Sequence, residues 1–180
     1  MFNKKTIFKG DKKGFTLIEL LIAIAIIAVL ASIAAAAVQY ARGQAKIARA
    51  QSDIAEIYKA MQTLSNDTGA WPGNQTADAI NLTNGNEICG ACTVGLNDPA
   101  AGLQSTDGSF ENWSGPYMNE VPLDPWGNEY FFDTDYRVSA DNKPCPSGTC
   151  FDAVSVGSYG PDGTGNNLYN EDDIIKVILK

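Results

Sequence analysis

The chain has 180 residues, with 13 Lys and Arg against 21 Asp and Glu, a formal net charge of −8 and no His. That length allows one modest domain with additions. The acidic balance argues against nucleic-acid binding by charge, and the missing imidazole removes the commonest general base, the usual hydrolase triads and most catalytic zinc sites, so no enzyme is expected.

Charge is unevenly placed. Residues 1–14 hold Lys4, Lys5, Lys9, Lys12 and Lys13 against Asp11. This basic segment ends in Gly14, and the apolar run follows it, whereas a secretory signal places its apolar core before the cut. Residues 20–38 contain one polar side chain, Ser32, and no Pro or Gly. As a helix they span about 28 Å, enough to cross a bilayer core. The basic flank predicts a cytoplasmic N-terminus and an exported body. Length and lysines fit an ordinary single-pass anchor, but Glu19 does not. A lone carboxylate at the head of such a run is expensive in hydrocarbon and needs a partner. Another protein group is the expected one.

From 39 to about 66 the pattern stays helical and becomes amphipathic. Ile47, Ile54, Ile57, Met61 and Leu64 form one stripe, while Arg42, Lys46, Arg49, Asp53, Glu56 and Lys59 lie mostly off it. One helix is predicted over about 15–64, roughly 75 Å long by the helical rise. Its first half belongs in the membrane, and the stripe of its second half should pack on a globular domain. Asn66-Asp67-Thr68-Gly69 ends it, with Trp71-Pro72-Gly73 beyond. Residues 67–122 read as a long ordered loop region with a possible short helix near 77–82. Asn66, Asn74, Asn81 and Asn112 each open an Asn-x-Ser/Thr triplet, which is common by chance in Asn-rich loops.

Strand signals begin after Pro122. Residues 128–132 and 136–138 flank Asp133-Thr134-Asp135, read as a hairpin turn. Further strands are expected at 150–156 and 174–179. The fold class is therefore α+β: a long N-terminal helix, half membrane and half amphipathic, on a small antiparallel sheet.

The Cys residues form two local pairs, Cys89-Gly-Ala-Cys92 and Cys145-Pro-Ser-Gly-Thr-Cys150. Structural disulfides, a four-thiolate zinc site and a redox site at Cys89 and Cys92 all use such pairs. An exported body favours disulfides, with local pairing expected and the crossed pairings left open. Asp162 sits in a Gly-Pro-Asp-Gly turn, and Asp172 and Asp173 return after a Gly- and Asn-rich stretch. Calcium takes six to eight hard oxygen ligands, which such a turn can supply. A solvated acidic turn fits the spacing equally well.

The stretch Lys13-Gly14-Phe15-Thr16-Leu17-Ile18-Glu19-Leu20 resembles the prepilin peptidase site of the type IV pilin superfamily. The resemblance implies a cut between Gly14 and Phe15, N-methylation of Phe15 and a role for Glu19 in assembly. Three further blocks resemble the major pseudopilin of type II secretion systems. They are Thr68-Gly69-Ala70-Trp71-Pro72, then Val121-Pro122-Leu123-Asp124-Pro125-Trp126-Gly127-Asn128-Glu129-Tyr130, then Ser158-Tyr159-Gly160-Pro161-Asp162-Gly163 with Glu171-Asp172-Asp173-Ile174. The last block implies a calcium loop with side-chain ligands Asp162, Asp172 and Asp173 and the carbonyl of Tyr159. Residues 83–110 read as an insertion, both Cys pairs are extra, and Ala34–Ala37 stand where the family usually has a Pro.

Five segments follow: a leader at 1–14, a membrane and filament-core helix at 15–38, its amphipathic half at 39–66, a variable loop region at 67–122, and a sheet with a calcium loop at 123–180. The implied function is a subunit of a pilus-like homopolymer for protein secretion. The implied partners are the prepilin peptidase and an inner-membrane assembly platform, with storage in the inner membrane before a periplasmic or extracellular filament. A surface pilus for adhesion, motility or DNA uptake is the alternative. A membrane-anchored redox or binding module using Cys89 and Cys92 is the reading from a different class.

Overall fold

A computed structural model describes residues 14–76, 87–89, 92–141, 143–145, 148–165 and 168–180. The basic leader and the short helix expected near 77–82 lie outside the described residues. Helix α1 runs Leu17–Thr68 in one piece. Thr16 and Glu19 open it as a capping box. Gly69 closes it at φ 77°, its N–H bonded to the Ser65 carbonyl at 2.8 Å. A left-handed residue after the last turn suits Gly, because no Cβ clashes there. The short strands β1 (Ala70–Trp71) and β2 (Gln75–Thr76) pair antiparallel just beyond.

The main sheet is antiparallel in the order β3 (Phe131–Ser139), β4 (Cys150–Ser158), β5 (Ile174–Leu179). Its two faces are both covered. On one, Phe132, Val154 and Val156 join Ala50, Ile54, Ile57, Met61 and Leu64 of α1 in a single core. The predicted stripe is thus the helix's buried face, with Ile47 half-buried at its start. On the other face, Phe131, Tyr136, Ala153, Tyr159 and Tyr169 form a second core with Cys89 and Cys145. The ring of Phe131 stacks on Tyr159 at 4.5 Å.

Asp133-Thr134-Asp135 is not a hairpin turn. The three residues lie inside β3, and Thr134 is fully buried. Asp133 pairs with Ser155 and Tyr136 with Ala153, so two residues of β3 oppose one of β4. This bulge absorbs the polar run and keeps the strand going. The hairpin comes later, across 140–149, where the Ala140 N–H donates to the Thr149 carbonyl at 2.8 Å. The Cys145–Cys150 disulfide ties it.

The stretch at 92–122 is more than connection. Leu96, Ala101, Leu103, Phe110 and Val121 are buried in the same core as α1. A three-stranded sheet is too small to cover a helix alone, and these side chains complete the cover.

Candidate functional site

Two clusters carry the chain's unusual chemistry. The first is at the head of α1. Gly14 and Phe15 are exposed, Phe15 to 92%, and among the described residues no heavy atom outside the immediate neighbours lies within 4 Å of where a Gly14 Cβ would stand. A peptidase therefore meets an open bond there. The Thr16 N–H and hydroxyl both donate to Glu19 Oε2, at 2.8 and 2.7 Å, and the Glu19 N–H donates back to Thr16 Oγ1 at 3.3 Å. From the sequence, Glu19 is expected to pair with a group of another protein. The structure gives it a local partner, Thr16. The signal was present as Thr-x-x-Glu before an apolar run, the mark of a capping box. Leu17, Ile18, Leu20, Leu21 and Ile22 are all at least half exposed. The helix is long and apolar enough to cross a membrane, and the most hydropathic window lies at the N-terminal end with none of it buried.

The second cluster is the acidic loop after β4. Tyr159 enters a single helical turn, Gly160–Asp162, that carries Asp162 outward. Gly160 is held at φ 65°, and a Cβ there would sit 2.2 Å from the Asp172 carbonyl oxygen. Only Gly lets the two arms of the loop approach so closely. Asp162 accepts the Thr164 N–H and hydroxyl, both at 2.8 Å, which hold its carboxyl below the usual range. The Asp162 N–H donates to Asp172 Oδ2 at 3.3 Å.

Asn170 is the hub that sequence reasoning missed. Its N–H donates to Asp173 Oδ2, its side-chain amide to Asp162 Oδ2, and its own oxygen accepts the Asp172 N–H. No motif in the sequence marked it. Asp173 is buried beneath, with Tyr136 donating to Oδ2 at 2.7 Å and Oδ1 buried without a hydrogen-bond partner among the described residues. Burial chiefly, with the charges of Asp172 and Asp162 adding, pushes Asp173 up to about 7. The loop thus brings the three predicted carboxylates onto one Asn and leaves one buried oxygen unused. Such a donor set fits a hard cation, since an unpaired buried carboxylate oxygen invites a ligand.

The block at 121–130 supports this loop. Asp124 is buried, its Oδ1 accepting the N–H groups of Trp126 and Asn128 and its Oδ2 the Ser158 hydroxyl. Asn128 then donates to the Gly160 carbonyl at 3.2 Å. Tyr130 donates to Asp53 of α1 at 2.9 Å and so pins sheet to helix.

All four Cys are bonded locally, Cys89–Cys92 and Cys145–Cys150. That leaves no thiolates for a zinc site. Cys89 lies beside the Ile88–Phe132 bridge, in the second core.

Known proteins match the chain in both regions. Residues 9–35 match the prokaryotic N-terminal methylation motif, and residues 97–176 match the family of type II secretion system protein G. The type II secretion system core protein G of Pseudomonas aeruginosa is 29% identical over 161 residues, 88% of this chain and 92% of its own length. The protein of the same name in Escherichia coli K12 is 28% identical over 160 residues, 88% of this chain and 90% of its own. Fimbrial protein EcpC of Eikenella corrodens is 29% identical over 147 residues, 82% and 95% of the two chains. No solved structure matches the chain. The methylation motif covers the Gly14–Phe15 bond, the protein G match covers β3, β4, the start of β5 and the acidic loop, and on both counts the chain is similar to the type II secretion pseudopilins of the type IV pilin superfamily.

Proposed function

We propose that this chain is the main structural subunit of a type II secretion pseudopilus, stored in the inner membrane and polymerised through the first half of α1. The observation that carries the reading is the head of α1: an exposed Gly14–Phe15 bond, a capped Glu19, and a run of exposed apolar side chains. In this reading the prepilin peptidase cuts after Gly14, on the cytoplasmic side. Hydrolysis creates an ammonium on Phe15 and leaves Glu19 in place.

The chain's own residues then do the work. In the lone subunit Thr16 satisfies Glu19, so the carboxylate is hydrogen-bonded while the subunit waits in lipid. On assembly, the Phe15 ammonium of one subunit meets the Glu19 of another. Leaving either charge unpaired in a dry bundle costs more than the pair gains, so the contact fixes stagger and register. The apolar surface of residues 17–38 supplies the bulk of the filament core. An inner-membrane assembly platform delivers subunits to the growing base.

Calcium belongs to the same proposal. Asp162, Asp172 and Asp173 would hold it, with the Tyr159 carbonyl. When bound, the ion neutralises clustered carboxylates and occupies the unused Asp173 oxygen. Supporting this are the crowding around Asn170 and the raised Asp173 carboxyl.

The test of function is expression with a prepilin peptidase and the secretion assembly machinery. Mass spectrometry should find a chain beginning at Phe15 carrying a methyl group, and electron microscopy should find thin filaments. An uncut chain, or a cut chain that never polymerises, sinks the reading. For calcium, chelation should lower the melting temperature of the full chain, and Asp162→Asn should reduce that sensitivity.

A further inference from the structure

We propose a second calcium site, separate from the loop after β4, made by Glu87, Asp133 and Asp135. One carboxylate oxygen from each of the three lies within 4.8 Å of the others. Calcium binds oxygen at 2.3–2.6 Å, so oxygens on opposite sides of one ion are about 4.6–5.2 Å apart. The three oxygens therefore fit one coordination sphere.

The fold builds this arrangement from three devices. The Ile88 and Phe132 backbones exchange hydrogen bonds at 2.8 Å in both directions, which sets Glu87 across from Asp133. The β3 bulge between Asp133 and Tyr136 brings Asp135 to the same place. Burial then holds two of the carboxylates away from water, Asp133 at 1% and Asp135 at 8% exposure, while Glu87 stays half-buried at the mouth.

An independent group points the same way. Ser155 is fully buried, and its hydroxyl oxygen has no hydrogen-bond partner among the described residues. It is the cross-strand partner of Asp133. Side chains so paired leave the sheet on one face, about 4.5–5.5 Å apart at Cβ. The unpaired hydroxyl is thus aimed into the carboxylate group and offers a fourth hard oxygen. Buried hydroxyls are almost always bonded, and a bound ion or its water would use this one. An ion here would clamp the segment carrying the Cys89–Cys92 bridge to the centre of the sheet. The site does not depend on the filament reading.

The test uses the full chain in detergent micelles, stripped of metal, with calcium chloride as the probe in equilibrium dialysis. In an Asp162→Asn, Asp172→Asn background, one calcium per chain is expected to remain. Adding Glu87→Gln and Asp135→Asn should abolish it, with an unchanged circular dichroism spectrum. No calcium in the first protein overturns the site, and so does calcium retained in the second. Should the combined variant fold poorly, Glu87→Gln alone in the otherwise native chain settles the matter. It should weaken one binding event at least about tenfold, and an unchanged isotherm overturns the proposal.

Discussion

The two halves of α1 are built from the same kind of residue and meet opposite fates. At the C-terminal end, Ile54, Ile57, Met61 and Leu64 are buried against the sheet and the 92–122 stretch. At the N-terminal end, Ile18, Leu20, Leu21 and Ile22 are at least half exposed within the subunit. The first group is one stripe with charged residues beside it, so it specifies an intramolecular partner. The second is apolar on every side, which matches a lipid surround or a bundle of copies. One helix therefore serves two solvents, and the change in pattern after residue 38 marks the border between them.

That contrast can be broken by substitution. The largest effect should come at Glu19. Glu19→Ala should insert and be cut normally yet lower filament yield on the order of a hundredfold, because one charge of a buried pair is left alone. Glu19→Gln separates the two roles, since its amide oxygen can still accept from Thr16 but carries no charge. Recovery of filaments in Glu19→Gln would show that capping, and not ion pairing, drives assembly.

Next in size is the core half. Leu64→Ala should destabilise the folded chain by about 2–5 kcal/mol. Ile26→Ala should leave the denaturation midpoint of the same fold unchanged while reducing assembly. Equal effects of the two on the midpoint would erase the distinction between the halves.

Smaller still, Tyr130→Phe removes the hydroxyl that donates to Asp53, a charged acceptor, and should cost about 1.5 kcal/mol in chemical denaturation. The smallest effect is expected of Thr16→Ala. It removes the cap hydroxyl but keeps Glu19, so filament yield should fall only about fivefold, and Thr16→Ser should restore it.

Much of this was legible in the residues. Period and composition gave the helix, its buried stripe and its end at Gly69, because those signals are local. The signals at Gly14, Phe15 and Glu19 are equally local, and the N-terminal methylation motif matches across them. The strand through Asp133-Thr134-Asp135 was not. Two Asp around a Thr look like turn chemistry, and only tertiary burial makes them a bulge inside β3. Asn170 was equally hidden, since its role comes from loop arms that close in space. The Thr16 cap is legible in Thr-x-x-Glu, a local signal that sits inside the apolar run's charged head.

The disulfides have a consequence for the order in which the molecule is made. Each joins cysteines only 3 or 5 positions apart in sequence. Rings that small close without a search through the rest of the chain, and short loops need little diffusion time. They also restrict the unfolded chain less than long-range bridges do. In an oxidising medium such rings can therefore close one by one, before β3, β4 and β5 have met. The bridges then act as pre-formed corners, one beside the Ile88–Phe132 bridge and one at the 140–149 hairpin, on which a slow antiparallel sheet can assemble with fewer ways to go wrong.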